Sequence, residues 1–260
     1  MNINLYINSV DFNKLKRVIC KMINFIQVDN NIYLNEEIIK RIGAEGYTLY
    51  CLLLIKQSGN EFVDFSIGSL LAYTNRTNTT KLKYSDKNRD VPKLKSLKVI
   101  RPYLKALESE GLITLISKCD LLKIKSNDTV LCTVKSKCSD KGFIQISHKL
   151  FINTIDKIGH NGWLIYSLLY RHHNSTYGSE SSDGYANPSL EYMENKLGIS
   201  RKTISIYLNL LESLKLIQII KVPPVITGQT PQGHSIYKNF PNNYIVRARC
   251  KGDKYYVSTT

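Results

Sequence analysis

The stretch Ser189-Leu190-Glu191-Tyr192-Met193-Glu194-Asn195-Lys196-Leu197-Gly198-Ile199-Ser200-Arg201-Lys202-Thr203-Ile204-Ser205-Ile206-Tyr207-Leu208 decides the fold. Ser189 has a hydroxyl that can accept a bond from an otherwise unpaired N–H of a first helical turn. Glu191 places negative charge in that turn, where the helix dipole favours it. Gly198 stops the helix, because glycine takes the left-handed conformation of a tight turn without a side-chain penalty. Ile199 reads as the apolar plug of the turn. Ser200 caps a second helix, in which Ile204, Tyr207, Leu208 and Leu211 fall on one face. Helix, glycine turn and capped helix, in this order, make a helix-turn-helix.

The next residues extend this unit. Leu216 to Val222 reads as a strand that Pro223-Pro224 ends, with Gly228 and Gly233 in the following loop. A second strand is expected in 234–237 or 243–249. A helix-turn-helix followed by strand, loop and strand is a winged helix.

Upstream, the chain repeats itself. Ile42, Gly43, Gly46, Tyr50, Leu52 and Leu53 recur in register as Ile158, Gly159, Gly162, Tyr166, Leu168 and Leu169. Tyr103, Leu104, Leu107, Glu108, Ser109, Leu112 and Ile113 recur as Tyr207, Leu208, Leu211, Glu212, Ser213, Leu216 and Ile217. Phe25-Ile26-Gln27-Val28 is echoed by Phe143-Ile144-Gln145-Ile146. Three echoes in the same order imply two copies of one domain. The expected fold class is therefore α+β, with two duplicated winged helix-turn-helix domains in tandem. The expected boundaries are 1–24 for an extension with a helix from Asp11 to Met22, 25–137 for the first domain and 138–260 for the second. In each copy the Ile-Gly-x-x-Gly stretch leads into an apolar core helix.

The first copy departs from the pattern. Aligned through Tyr103, Ser96 takes the place of Ser200 and Pro102 that of Ile206. Proline there implies a helix that is kinked or that begins near Pro102. A polar insertion, 74–93, replaces the tight turn and carries Arg76, Lys81, Lys83, Lys87 and Arg89. It reads as a basic arm able to track phosphates or enter a groove. Leu112 to Ile116 is the expected strand after the helix, and Leu121–Lys125 with Thr129–Val134 reads as a hairpin around Ser126-Asn127-Asp128.

Composition bounds the function. The 260 residues suit two domains. Lys and Arg number 36 against 21 Asp and Glu, a net charge of +15, which points to a polyanionic partner. The six cysteines include no C-x-x-C pair, so no structural zinc site is expected, and no cofactor. No apolar run approaches the ~20 residues of a membrane span, and the N-terminus lacks the pattern of a signal peptide. A cytoplasmic location is expected. Five histidines without ligand spacing, and no phosphate-binding glycine loop, argue against an enzyme.

The expected chemistry is the reading of double-stranded DNA by a helix in the major groove. The candidate readers lie off the apolar stripe: Ser200, Arg201, Lys202, Thr203, Ser205, Ile206 and Asn209. Arg and Lys can read guanine, Asn can read adenine, and Ile or a Thr methyl can meet the thymine methyl. Ser200 and the helix N-terminus can hold a phosphate. Lys98 and Arg101 in the first copy, Lys123 in its wing, and Lys221 and Lys238 in the second wing would add affinity independent of sequence.

Phe143–Ile146, Leu164–Leu169, Pro188-Ser189-Leu190, Leu197–Ile204 and Tyr207–Glu212 together resemble the helix-turn-helix domain of Gram-positive plasmid and phage replication initiators. They are also similar to the N-terminal domain of primosomal helicase-loading proteins. The resemblance covers 143–222 well and 25–125 more weakly, because of the insertion and Pro102. It implies a tandem winged-helix initiator that binds repeated origin sequences, with its two domains in successive major grooves. It also implies a monomer–dimer switch that separates initiation from autorepression, and an initiator is expected to form a homodimer and to recruit a replicative helicase or loader. The alternative is a transcriptional regulator, or a partition or conjugation accessory protein, of a mobile element.

Overall fold

The computed structural model describes residues 25–57, 60–70, 97–135, 142–176, 184–230, 232, 234–251 and 254–257, without the side chains of 97–99, 174–176, 248–251 and 254–257. The expected helix from Asp11 to Met22, the insertion 74–93 with its five named cations, the Lys98 side chain and the 137/138 boundary lie outside the described residues.

Strand β1 (Phe25–Asp29) pairs antiparallel with β5 (Phe143–Ser147). Ile26, Val28, Ile144 and Ile146 alternate along the two strands and are buried, as a half-covered sheet requires. The pairing is centred on Gln27 opposite Gln145. These two strands echo each other in sequence, so each residue faces the counterpart of its mirror position. Antiparallel pairing of like strands about a like residue is a local two-fold relation.

Helix α1 (Asn31–Leu34) is a single turn, and α2 (Glu36–Gln57) follows it. Asn35 Oδ1 accepts from Glu37 N at 3.1 Å at the start of α2. The corresponding long helix of the second half is α4 (His148–Thr176). Each is broken at the first glycine of its Ile-Gly-x-x-Gly stretch: Gly43 at φ 66°, ψ 179° and Gly159 at φ 62°, ψ −175°. That region of backbone space is almost restricted to glycine. Tyr47, Tyr50, Cys51 and Leu54 on α2 are buried, as are Trp163, Tyr166 and Tyr170 on α4. A helix apolar around most of its girth has to be a core helix.

The two long helices meet reciprocally. Tyr47 lies beside Ser167, and Cys51 lies beside Trp163. In the register of the sequence repeat, Tyr47 corresponds to Trp163 and Cys51 to Ser167, so the same contact is made twice with the halves exchanged. Tyr33 adds a hydroxyl–hydroxyl bond to Tyr47. One continuous set of buried side chains runs through both halves. Glu36 of the first half pairs with Lys196 of the second at 2.7 Å.

Helix α3 (Leu97–Ser109) buries Ile100, Leu104 and Leu107. It neither begins at Pro102 nor is broken there, but starts five residues earlier and runs through it. In the second turn, proline removes only the bond to the carbonyl of residue 98, and the apolar stripe outweighs that loss. Next come β3 (Ile113–Leu115) and β4 (Thr129–Val134), and β4 pairs with both β3 and β2 (Val63–Ser66). The expected hairpin of 121–125 with 129–134 is not formed. Asp120 Oδ1 accepts from Leu122 N at 3.0 Å, and its carbonyl accepts from Lys123 and Ile124. This turn buries Leu121 and Ile124 at a spacing of three rather than two.

Helices α5 (Leu190–Leu197) and α6 (Arg201–Ser213) precede β6 (Ile217–Ile220), which pairs with β9 (Asn243–Val246). Ala186, before α5, makes an antiparallel bridge to Tyr244 on β9. In the first half, then, β4 lies between β2 and the strand that follows α3, and in the second half β9 lies between the Ala186 bridge and the strand that follows α6. Between β6 and β9 stands a separate hairpin, β7 (Val225–Gln229) with β8 (Ser235–Lys238). Gly228 therefore sits in a strand, next to a bulge at Ile226/Gly228, and not in a loop as expected. Strands β10 (Ala248–Lys251) and β11 (Lys254–Val257) form a final hairpin.

Candidate nucleic-acid interface

The helix-turn-helix forms as its local chemistry demands. Ser189 Oγ accepts from Tyr192 N at 3.0 Å and opens α5. Gly198, at φ 66° and ψ 21°, closes it, and its N–H donates to Glu194 O at 2.9 Å. Ser200 Oγ accepts from Thr203 N at 3.3 Å and opens α6. Met193, Leu197, Ile204, Leu208 and Leu211 are buried, and Ile199 packs against the same core.

The position of α6 is set by a close approach to α4. A Cβ added at Gly162 would stand 2.8 Å from Ile158 Cβ and 3.0 Å from the Tyr207 ring. Only a glycine lets Tyr207, and with it the helix, lie so near. In the first half Gly46 lies in the same way against Ile42, at 3.1 Å, and Tyr103, at 3.5 Å.

Arg201, Lys202, Ile206 and Asn209 are exposed on the other side of α6, and Thr203 and Ser205 are half-exposed beside them. Ile206 retains 43% of its surface, a large fraction for an isoleucine next to a core helix. The candidate readers 200–209 are thus brought together on one face. Ser205 Oγ donates to Arg201 O at 2.9 Å, which leaves its hydroxyl oxygen free to accept.

Arg201 has partners that the sequence did not suggest. Its Nε donates to Glu194 Oε2 at 2.6 Å, and its Nη2 lies 3.7 Å from Glu191. Glu194, and to a lesser degree Glu191, hold the guanidinium above its ordinary pKa. A capped turn between two helices brings the second turn of one to the first residue of the next. Read along the sequence, Glu194 is only a charge on a solvated helix.

The other candidate cations are dispersed. Arg101 is half-buried and donates from Nη2 to Ile124 O, so it holds the 121–124 turn in place rather than facing outward. Lys123 is exposed, 3.6 Å from Asp120. Lys221 is exposed after β6, and Lys238 on β8 stands 5.3 Å from the ring centre of Phe240. Among the described residues no group of His, Cys, Asp and Glu could hold a metal ion, and no helix is long and apolar enough to cross a membrane.

Residues 158–217 match the family model of a helix-turn-helix domain. The match begins at the broken segment of α4 and ends in β6, so it spans the two capped helices and fits a winged-helix DNA-binding domain. Comparisons with curated proteins and with solved structures gave no match.

Proposed function

We propose that this chain is a replication initiator of a plasmid or phage. In this reading it binds repeated double-stranded DNA sites in the cytoplasm and carries out no catalysis of its own. The observation that carries the DNA reading is the face of α6: a Ser200-capped N-terminus, with Arg201, Lys202, Thr203, Ser205, Ile206 and Asn209 outward and the apolar stripe inward. The side chains offered there include donors for guanine, an amide for adenine and an aliphatic surface for the thymine methyl. The net charge of +15 supplies the long-range attraction to phosphates.

The initiator reading rests on the resemblance of 143–222 and on the chain's being two copies of one winged-helix unit. Supporting the duplication are the paired glycine breaks, the two glycine–tyrosine approaches, the common strand order and the two-fold pairing of β1 with β5. In this reading the basic arm 74–93, Lys98, Lys123, Lys221 and Lys238 add contacts to the DNA backbone. A homodimeric state and recruitment of a helicase or its loader complete the proposal.

The second reading is a regulator or accessory protein of a mobile element. It is favoured by the inward turn of Arg101 and by Pro102, which leave the first half less suited to reading bases.

The test is capture of random and host-element DNA fragments by the full chain at physiological salt, followed by sequencing. An enriched tandem repeat near the chain's own coding region is expected. A single palindrome at a promoter would favour the regulator. No enrichment over random DNA would overturn both.

A further inference from the structure

The hairpin of β7 and β8 has no side turned to the core: Val225, Ile226, Ile236 and Tyr237 are 49%, 57%, 46% and 60% exposed. In register, Ile226 faces Tyr237 and Val225 faces Lys238, so apolar groups stand on both faces of the ribbon. A two-stranded ribbon with large aliphatic and aromatic groups in water costs free energy unless something covers it.

The surrounding charge says what covers it. From 213 to 252 the chain has no Asp or Glu, while it carries Lys215, Lys221, Lys238, Arg247, Arg249 and Lys251. A second copy of this ribbon would bring like charges together. A polyanion would not. Nucleic acid, the partner the neighbouring α6 face fits, is a polyanion that also offers an apolar slot, since its base steps open to aliphatic wedges from the minor-groove side.

We propose that the β7–β8 hairpin is a wedge: Ile226 and Tyr237 enter the minor groove beside the α6 site, partly unstack one base step and bend the duplex. Lys221 and Lys238 then lie where they can hold the flanking phosphates. Pro223 and Pro224 link the ribbon to β6 and restrict its direction. The bulge at Ile226/Gly228 adds local twist at the Ile226 side chain. This inference rests on the proposal that α6 reads duplex DNA. It adds that binding deforms the site.

The test uses the full chain and a duplex enriched by the DNA capture described above. The duplex is labelled at both ends for energy transfer and carries 2-aminopurine at successive steps beside the α6 contacts. Binding should shorten the end-to-end distance, with a bend in the range of about 20–90°, and should raise 2-aminopurine fluorescence at one step. The double variant Ile226→Ser/Tyr237→Ser alters only exposed positions. It should still bind the duplex, with the bend and the fluorescence rise lost. Specific binding by the wild type without a bend or fluorescence change would overturn the wedge and leave the DNA reading intact. A bend that survives in the variant would also overturn it, as would a DNA-free dimer in sedimentation that the variant abolishes. Failure of the capture to enrich any duplex would sink the reading on which the wedge rests.

Discussion

Arg201 donates from Nε to Glu194 at 2.6 Å, so the first helix of the motif aims the first side chain of the second. Arg201 is exposed and Glu194 half-exposed, and such a pair adds little to folding. Its consequence is for recognition. A carboxylate beside a reader discourages phosphates, and a guanidinium held from one side presents its remaining N–H groups in one direction. Glu194→Gln should therefore tighten binding to random duplexes and narrow the gap between matched and mismatched sites. Arg201→Ala should reduce discrimination at one base pair on the order of ten- to a hundredfold. Anisotropy titrations on matched and singly mismatched duplexes measure both. Equal weakening by Arg201→Ala on matched and random DNA would make Arg201 a phosphate contact instead.

Gly162 gives a stability prediction that compares the two halves. Gly162→Ala sets a methyl 2.8 Å from Ile158 Cβ and 3.0 Å from Tyr207, and something has to shift. The expected cost is about 1–3 kcal/mol, in the range of overpacked cores. The corresponding contacts at Gly46 are 3.1 and 3.5 Å, so Gly46→Ala should cost less. Urea unfolding of both variants decides it, and equal midpoints would show that the two approaches are not under different strain. Since Tyr207 sits on α6, Gly162→Ala should also weaken specific DNA binding at temperatures where the variant is folded.

The helix-turn-helix was legible because its signals are local. Ser189, Gly198 and Ser200 each act within three or four residues, and the stripe from Ile204 to Leu211 lies within two turns. What was not legible depends on distant partners. The Phe25 and Phe143 strands could be seen to echo each other, but nothing along the chain says that they pair. Val63-Asp64-Phe65-Ser66 alternates as a strand should, yet its partner lies beyond α3, at Thr129–Val134. Leu121 to Lys125 has the composition of a strand, and Asp120 turns it into a helical corner. Arg101 looks like a surface cation until the carbonyl of Ile124 is placed beside it. The shared outward face of residues 201–209 on α6 was legible for the same reason as the helix: an amphipathic face follows from spacing alone.

The reciprocal contacts of Tyr47 with Ser167 and Cys51 with Trp163 have a consequence for the DNA site. Halves joined by a strand pair and a shared core hold α3 and α6 at one separation. A captured site contacted by both halves should therefore tolerate no change of spacing. Inserting ~5 base pairs, half a helical turn, between the two contacted segments should lower affinity to that of a site for the second half alone. Footprinting of the inserted duplex checks this. Protection that follows both displaced segments would mean that the halves move independently.

His172 ties stability to pH. Its ring stands edge-on to Tyr192, with centroids 5.3 Å apart. Burial first, then the charges of Arg171 and Lys196, push its pKa from 6.5 down to about 4. Unfolded, the ring takes up a proton near 6.5; folded, it does so only near 4. Between these values the unfolded chain binds more protons, so stability falls as pH falls. Above pH 6.5 the group makes no difference. Part of the ring still meets water, so the loss by pH 4 should be about 1–2 kcal/mol rather than the full shift. Burial also lowers the pKa of His148, so the wild-type slope is not due to His172 alone. The informative comparison is therefore with His172→Gln, through urea midpoints from pH 7.5 to 5, a range in which most carboxylates stay charged. The variant should lose part of the slope, and its largest relative gain should come at the acid end. A slope identical to that of the wild type would mean that His172 is already open to water and protonates freely in the fold.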